Sequence, residues 1–246
     1  MYAFITTIRC WYRPWRRELI ALHLLVVAGT AVIIAFNLDL RIAAFFYKPT
    51  PGSAPWPYME FGPVLFMYRF GEWPALFVAI AALIVLIAGI RAVRWRIYRR
   101  ESLFLLLVFA VGPGLLVNTI FKEYWGRPRP VQVCQFGGAL DFKPLLVMGT
   151  PGQGKSFPSG HASAAFFLAA GYCIWRTGRR RLAEATFAAG MLYGILVGIT
   201  RMARGGHFLS DILWALYFTW LAALLLAPLL DRAMFPRQAH PDEAPA

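Results

Sequence analysis

SFPSGHASAAF, residues Ser156 to Phe166, sets a proline, a glycine and a histidine at the mouth of an apolar run. It reads either as a polar interruption of a membrane helix or as the place where a helix begins. Pro158 sets a turn, Ser159 is a preferred N-cap and Gly160 lets backbone approach a ligand. The stretch therefore reads as a helix start. The free N–H groups and positive dipole end there form a ready anion site, with His161 in the first turn beside it.

The surroundings are hydrocarbon-like. The chain has 246 residues, 59% hydrophobic, with a mean hydropathy of +0.55, against roughly 45–50% apolar usage in soluble domains. Six apolar stretches of about 15–23 residues approach or exceed the roughly 17–25 that span a bilayer. They predict an all-α membrane protein with helices at Leu19–Leu38, Trp73–Ile90, Leu103–Phe121, His161–Trp175, Ala183–Thr200 and Phe208–Leu230. The fourth is the shortest.

A net charge of +13 could suggest nucleic acid, but the placement of the charges argues otherwise. Arg9, Arg13, Arg16 and Arg17 precede the first helix, RAVRWRIYRR (Arg91–Arg100) joins the second to the third, and RTGRRR (Arg176–Arg181) joins the fourth to the fifth. With six spans, these clusters and both termini share one side, which the positive-inside rule makes cytoplasmic. Anionic lipid is then the partner of this basicity, and no nucleic acid is called for.

The expected organisation is a basic cytoplasmic anchor at residues 1–18, retained and not cleaved, a six-helix domain at 19–230, and a polar, disordered cytoplasmic tail at 231–246. Cys10, Cys134 and Cys173 offer no pair on one side of the membrane, so no structural disulfide is expected. His23, alone in the first helix, reads as a structural group.

This topology puts Asp39–Glu72, Lys122–Gly160 and Arg201–His207 outside. In the first segment, YKPTPGSAPWPYMEFGP (Tyr47–Pro63) is too rich in proline for regular helix and reads as an interfacial loop capping the bundle. The second crowds Lys122, Arg127 and Arg129 into eight residues stiffened by Pro128 and Pro130. Such cations suit phosphate oxygens, or snorkel to lipid headgroups. In the third, TRMARGGHFLSDILW (Thr200–Trp214), Asp211 follows His207 by four residues, one helical turn along the same face. A carboxylate there can take the hydrogen bond from one imidazole nitrogen while the other points outward, although Arg201 or Arg204 could pair with it instead.

Lys122 with six residues before Arg129-Pro130, then Pro158-Ser159-Gly160-His161, then Arg201 with five residues before His207 and three more before Asp211, resembles the three-part signature of the PAP2 (type 2 phosphatidic acid phosphatase) superfamily. One position departs: the family's usual serine before the third-motif arginine is Thr200, which keeps the hydroxyl.

The resemblance implies a PAP2-type helical bundle and a metal-independent phosphatase without a cofactor. Lys122, Arg129, Ser159, Gly160 and Arg201 would bind phosphate, His207 would attack phosphorus, Asp211 would hold its tautomer, and His161 would protonate the leaving oxygen. Kinship with vanadium haloperoxidases implies inhibition by vanadate. Arg127 and Arg204 lie outside the signature, as contacts to a second phosphate or headgroup, or as partners of Glu123 and anionic lipid.

The motifs report the phosphoryl group and not its bearer. The retained anchor and the form WGRPRP…FGG are similar to bacterial inner-membrane members acting on lipid A, at its 1- or 4′-phosphate, with the site facing the periplasm. Undecaprenyl diphosphate, phosphatidylglycerophosphate and phosphatidic acid are alternative substrates. A lipid phosphotransferase using the same intermediate, and a lipid-binding or transport protein without activity, are alternative functions. The glycine-rich stretch Val131–Lys155 is left as a lid or a rim.

Overall fold

The computed structural model describes residues 12–230 and is built almost wholly of helices. Residues 1–11, with Cys10 and most of the expected anchor, and the tail 231–246 lie outside the described residues. Helix α1 (Arg16–Ala35) starts before the expected Leu19 and stops short of Leu38. Asn37 breaks it in the left-handed region, at φ 51°, a conformation that asparagine tolerates better than most residues. The chain then re-enters helix as α2 (Leu38–Phe46).

After irregular backbone and a single 3₁₀ turn at Pro57–Met59, α3 (Gly62–Phe70) and α4 (Trp73–Arg91) follow, each with proline in its first turn. Proline fits there because the first N–H groups of a helix have no intrahelical partner. Helix α5 (Arg99–Phe109) runs on through a π-helical stretch, Ala110–Phe121, into a last α-helical turn at Lys122–Tyr124. Helices α6 (Gly160–Phe167) and α7 (Gly171–Trp175) are joined by the 3₁₀ turn Leu168–Ala170. Helices α8 (Arg180–Ala203) and α9 (Leu209–Leu226) complete the bundle.

Among the described residues, five helical runs are long and apolar enough to cross a membrane: Arg13–Ala35, Gly62–Arg91, Val93–Tyr124, Arg180–Ala203 and Leu209–Leu230. The expected span His161–Trp175 is not one of them. Its pieces of eight, three and five residues are too short, and the segment is a buried central rod with Ala162, Ala165 and Phe167 fully enclosed. Buried among protein neighbours, it needs no lipid-matched length. It nevertheless runs from one end of the bundle to the other. His161 pairs with Glu72 at one end, while at the other Arg176 donates to the Pro14 carbonyl at 3.0 Å and pairs with Glu18 at 2.9 Å.

The outer helices carry their large apolar side chains outward: Leu24 and Val27 on α1, Ile84 on α4 and Leu192 on α8 are all well exposed. Inward faces are made of small residues, as expected where lipid is as apolar as the core and packing must come from close approach. Gly190, Gly194 and Gly198 form such a stripe on α8. A Cβ on them would lie 2.3 Å from the Ala169 backbone nitrogen, 2.1 Å from the Phe166 ring and 2.6 Å from Ile212. Phe104, Val108, Phe167, Trp220 and Leu224 fill the core beyond.

Every helix terminus that bears a motif residue lies at the same end of this bundle. Val131–Lys155 folds onto that end as a packed rim. Ser156 N–H donates to the Arg127 carbonyl and Gly149 N–H to that of Trp125, and a Cβ at Gly154 would lie 2.3 Å from the Arg127 carbonyl oxygen. His23, read as structural, bonds the Leu19 carbonyl through Nδ1 and packs edge-on against Tyr217. Cys134 and Cys173 are both free thiols.

The glycine stripe yields a prediction. Gly194→Val overpacks the Phe166 contact and lowers stability by about 1–3 kcal/mol, read as thermal unfolding in detergent. An unchanged midpoint contradicts the packing described.

Candidate active site

The N-terminus of α6 is assembled as its sequence suggests. Ser159 is fully buried and its Oγ accepts from Ala162 N–H at 3.4 Å, a long capping bond. Gly160 is required by close approach: a Cβ there would sit 2.9 Å from Lys122 Nζ and 2.5 Å from Asn118 Oδ1. The ammonium of Lys122 is thus laid against the helix start. Its Nζ donates to Asn118 Oδ1 at 2.9 Å, and Asn118 Nδ2 donates to the Pro113 carbonyl at 2.8 Å. The wide π-helical turn, often found at functional sites, turns Asn118 back along the helix to hold Lys122.

Arg129 and Arg201 complete a set of three cations close enough to act on one another's charge. Both are held in place while keeping a donor unused: Arg129 Nε and Arg201 Nε are buried without a hydrogen-bond partner. Crowded cations with buried unpaired donors are costly unless an anion sits among them. Arg201 stacks on the Tyr68 ring at 4.6 Å, and Gly206 makes room for it, since a Cβ there would lie 3.0 Å from its Nη2.

His207 is only 2% exposed. Its Nδ1 lies 2.6 Å from the Ser156 carbonyl oxygen and 3.6 Å from Asp211 Oδ2. The nearest partner of Nδ1 is thus the Ser156 carbonyl, with Asp211, the expected partner, still in ion-pair range. A carbonyl can only accept, so Nδ1 carries the proton and Nε2 keeps its lone pair. Asp211 stands one contact behind, its Oδ2 accepting from Ser156 Oγ at 2.5 Å and from Phe208 N–H at 2.8 Å. Burial pushes the His207 imidazole down to about 3, outweighing the opposing hydrogen bond and charge of Asp211. The ring is neutral at physiological pH, a state in which an imidazole nitrogen can act as a nucleophile.

Arg127 does neither of the things expected of it. It is fully buried, and Glu123 pairs instead with Lys155 at 2.7 Å. Its Nη1 donates to Asp211 Oδ1 at 2.5 Å and Ser210 Oγ at 2.7 Å, Nη2 to Asp39 Oδ2 at 2.8 Å and Nε to the Lys143 carbonyl at 3.0 Å. Its guanidinium lies 4.6 Å from the Phe208 ring centroid. Burial opposes its charge, but Asp211 and Asp39 more than offset this and raise its pKa. Arg204 likewise turns inward, donating to the Met59 carbonyl and stacking on Tyr68 at 4.2 Å.

His161 is partly open to solvent. Its Nδ1 lies 2.8 Å from Glu72 Oε1, and its ring stacks on Tyr68 at 5.5 Å and 12°. Together the motif residues Lys122, Arg129, Ser159, Gly160, His161, Arg201, His207 and Asp211 close around one end of the bundle. Asp39, Tyr68, Glu72, Asn118 and Ser156 belong with them and were not foreseen. Asp39, Tyr68 and Glu72 come from the segment read only as a cap, where an acidic residue at each edge of the segment was the available signal. Among the described residues, no group of three or more His, Cys, Asp or Glu is placed to hold a metal ion.

Two outcomes follow. Arg127→Ala leaves two carboxylates without their shared partner and destabilises the fold by about 3–5 kcal/mol, measured as thermal or denaturant unfolding in detergent. A loss under about 1 kcal/mol, typical of exposed pairs, contradicts the buried node. His207 has an ordinary value of 6.5 and a folded value of about 3, so between them the unfolded chain binds more protons than the folded one. Stability therefore falls as pH drops through that window. His207→Gln flattens this dependence, and an equally steep acid loss in the variant contradicts it.

The PAP2 superfamily pattern matches residues 103–235, more than half of the chain. A lipid A 4′-phosphatase from Francisella tularensis subsp. novicida (strain U112) is 32% identical over 198 residues, covering 80% of this chain and 87% of that protein. A lipid A 4′-phosphatase from Rhizobium leguminosarum is 38% identical over 117 residues, 47% of this chain and 47% of that protein. The crystal structure of a transmembrane PAP2 type phosphatidylglycerolphosphate phosphatase from Bacillus subtilis matches with a TM-score of 0.52 at 22% identity, over 84% of this chain and 92% of that one. That structural likeness concerns the fold alone, and the fold is that of a multi-pass membrane protein. The matched region contains all three motif segments, and the chain belongs to the PAP2 superfamily.

Proposed function

We propose that this protein is a membrane lipid phosphatase that removes the 4′-phosphate of lipid A through a phosphohistidine at His207, without a metal ion. The observation that carries the reading is the convergence of Lys122, Arg129 and Arg201, two of them with buried unpartnered donors, around a neutral His207 and the start of α6. The choice of lipid rests on the relatives from Francisella and Rhizobium, both named as lipid A 4′-phosphatases.

Chemistry follows from the geometry. The three cations, with the Ser159 hydroxyl and the N–H groups opening α6, bind the phosphoryl oxygens and meet the charge that grows on them in flight. Fixed side-chain cations do here what a divalent ion does elsewhere. His207 Nε2 attacks phosphorus in line while His161 protonates the leaving sugar oxygen, a contribution of about 10²–10⁴-fold for a poor leaving group. Water, deprotonated by His161, then releases phosphate and restores His207.

In the membrane, the buried rod 160–175 is the sixth crossing. The basic ends at Arg91–Arg100 and Arg176–Arg181 lie in the cytoplasm of a bacterial inner membrane, and the site faces the periplasm. The amphiphile's phosphate then meets the site at the interface while its acyl chains stay in lipid.

The test is mass spectrometry of lipids from cells with and without the protein. Lipid A lighter by one HPO₃ at the 4′ position is expected, with activity of the purified protein persisting in EDTA and His207→Ala nearly devoid of phosphate release. Unchanged lipid A alongside consumed phosphatidylglycerophosphate contradicts the substrate. That lipid is the natural rival, because the Bacillus subtilis relative named phosphatidylglycerophosphatase B is 30% identical over 122 residues. Labelled phosphate moving to a second lipid contradicts hydrolysis, and activity in His207→Ala contradicts the nucleophile.

A further inference from the structure

We propose that Glu72 is a positioning residue for the leaving-group acid, holding the His161 ring in one orientation and one tautomer through a Glu72–His161 dyad. The inference deepens the reading above and rests on it. An acid must present the proton of one ring nitrogen to the leaving oxygen, which requires the other nitrogen to be held.

Glu72 is placed to hold it. Its Oε1 lies 2.8 Å from His161 Nδ1. It stands at the N-cap of α4, where a carboxylate would ordinarily cap its own helix, but its side chain makes no capping bond and is turned to the histidine instead. Its backbone is clamped from both sides: Gly71, next to it, gives its carbonyl to Tyr193 Oη on α8 at 3.0 Å, and Leu76 N–H bonds the Glu72 carbonyl at 3.1 Å. The imidazole is fixed face-on by Tyr68, stacked at 12°. Tyr68 in turn lies under Arg201 and Arg204, so the acid is locked to the phosphate-binding cations.

The charged and titratable groups around His161 are therefore Glu72 and Tyr68 from the α3–α4 corner, Lys122 from α5, Arg129 from the loop after it, Arg201 and Arg204 from α8, and His207. Among these only Glu72 is a carboxylate on the His161 side, since Asp211 is engaged by Arg127, Ser156 and Phe208.

His161 Nδ1–H stays on the ring, donated to Glu72, and Nε2–H faces the scissile oxygen. As the His207 Nε2–P bond forms, the P–O bond breaks, its electron pair stays on oxygen, and the Nε2 proton of His161 passes to that oxygen. In the second half, water adds to phosphorus and returns a proton to His161 Nε2. The P–N pair goes back to His207. Glu72 remains ionised throughout.

The experiment compares Glu72→Gln, Glu72→Asp, His161→Gln and the double variant Glu72→Gln/His161→Gln on two substrates. Lipid A leaves as a poor alkoxide; p-nitrophenyl phosphate leaves as a stabilised phenolate that needs no acid. The ratio of the two rates does not depend on how much of a variant is folded. Glu72→Gln is expected to lose about 10–10² more on lipid A than on the aryl ester. It adds little to His161→Gln, and Glu72→Asp recovers part of the loss.

Equal losses on both substrates, multiplication with His161→Gln, or no loss in Glu72→Gln overturns the dyad and leaves the His161 acid standing. A His161→Gln variant that shows no preference for the aryl ester, or a wild-type protein that hydrolyses neither substrate, overturns the reading beneath it and the dyad with it.

Discussion

Arg127 is the contact on which the site depends. It joins three parts of the chain remote in sequence: Asp39 after the break in the first helix, Asp211 at the start of the last, and the loop that carries Arg129. Its guanidinium is fully buried, where an unpaired charge is prohibitive, so both carboxylates are needed to keep it and it is needed to keep them. The constraint is geometric as well. With Oδ1 of Asp211 fixed by Arg127, Oδ2 is left for Ser156 Oγ and Phe208 N–H, and the Ser156 carbonyl is left for His207. The tautomer of His207 is thus set by a chain of contacts that ends in a cation it never touches.

The two histidines sit in different environments, and environment is what sets acid and base roles in a site. His207 is enclosed, has a neutral backbone oxygen as its nearest partner, and is kept uncharged chiefly by burial. His161 is partly exposed and faces a carboxylate. The glycines at 160 and 206 leave the space in which Lys122 and Arg201 lie.

Much of this was visible in the sequence. Motif residues stand at fixed short spacings because helix starts, i to i+4 pairs and proline-stiffened turns are local, and local geometry survives in a linear string. What was missed is long-range. Asp39 and Glu72 are single acidic residues at the edges of one segment, and nothing adjacent announces that they fold against Arg127 and His161. Arg127 stood outside the signature that includes Arg129, with Glu123, lipid or a second phosphate as its expected partner, and only the tertiary fold brings it to Asp39 and Asp211. Hydropathy found the apolar segment at residues 160–175 but not its enclosure, since the same small apolar residues suit a lipid-facing span and a short rod surrounded by protein. The π-helical stretch that aims Asn118 left no periodic signature.

The central claim is that His207 Nε2 receives the phosphoryl group. Its most direct test is to mix the purified protein with labelled lipid A, quench in alkali on the millisecond scale, and map the label by peptide mass spectrometry and phosphorus–nitrogen NMR. The account predicts a phosphoryl group on Nε2 of His207, accumulating further when His161 is replaced by glutamine and hydrolysis slows. Label on another residue, or steady release of phosphate with the protein never labelled, would contradict it.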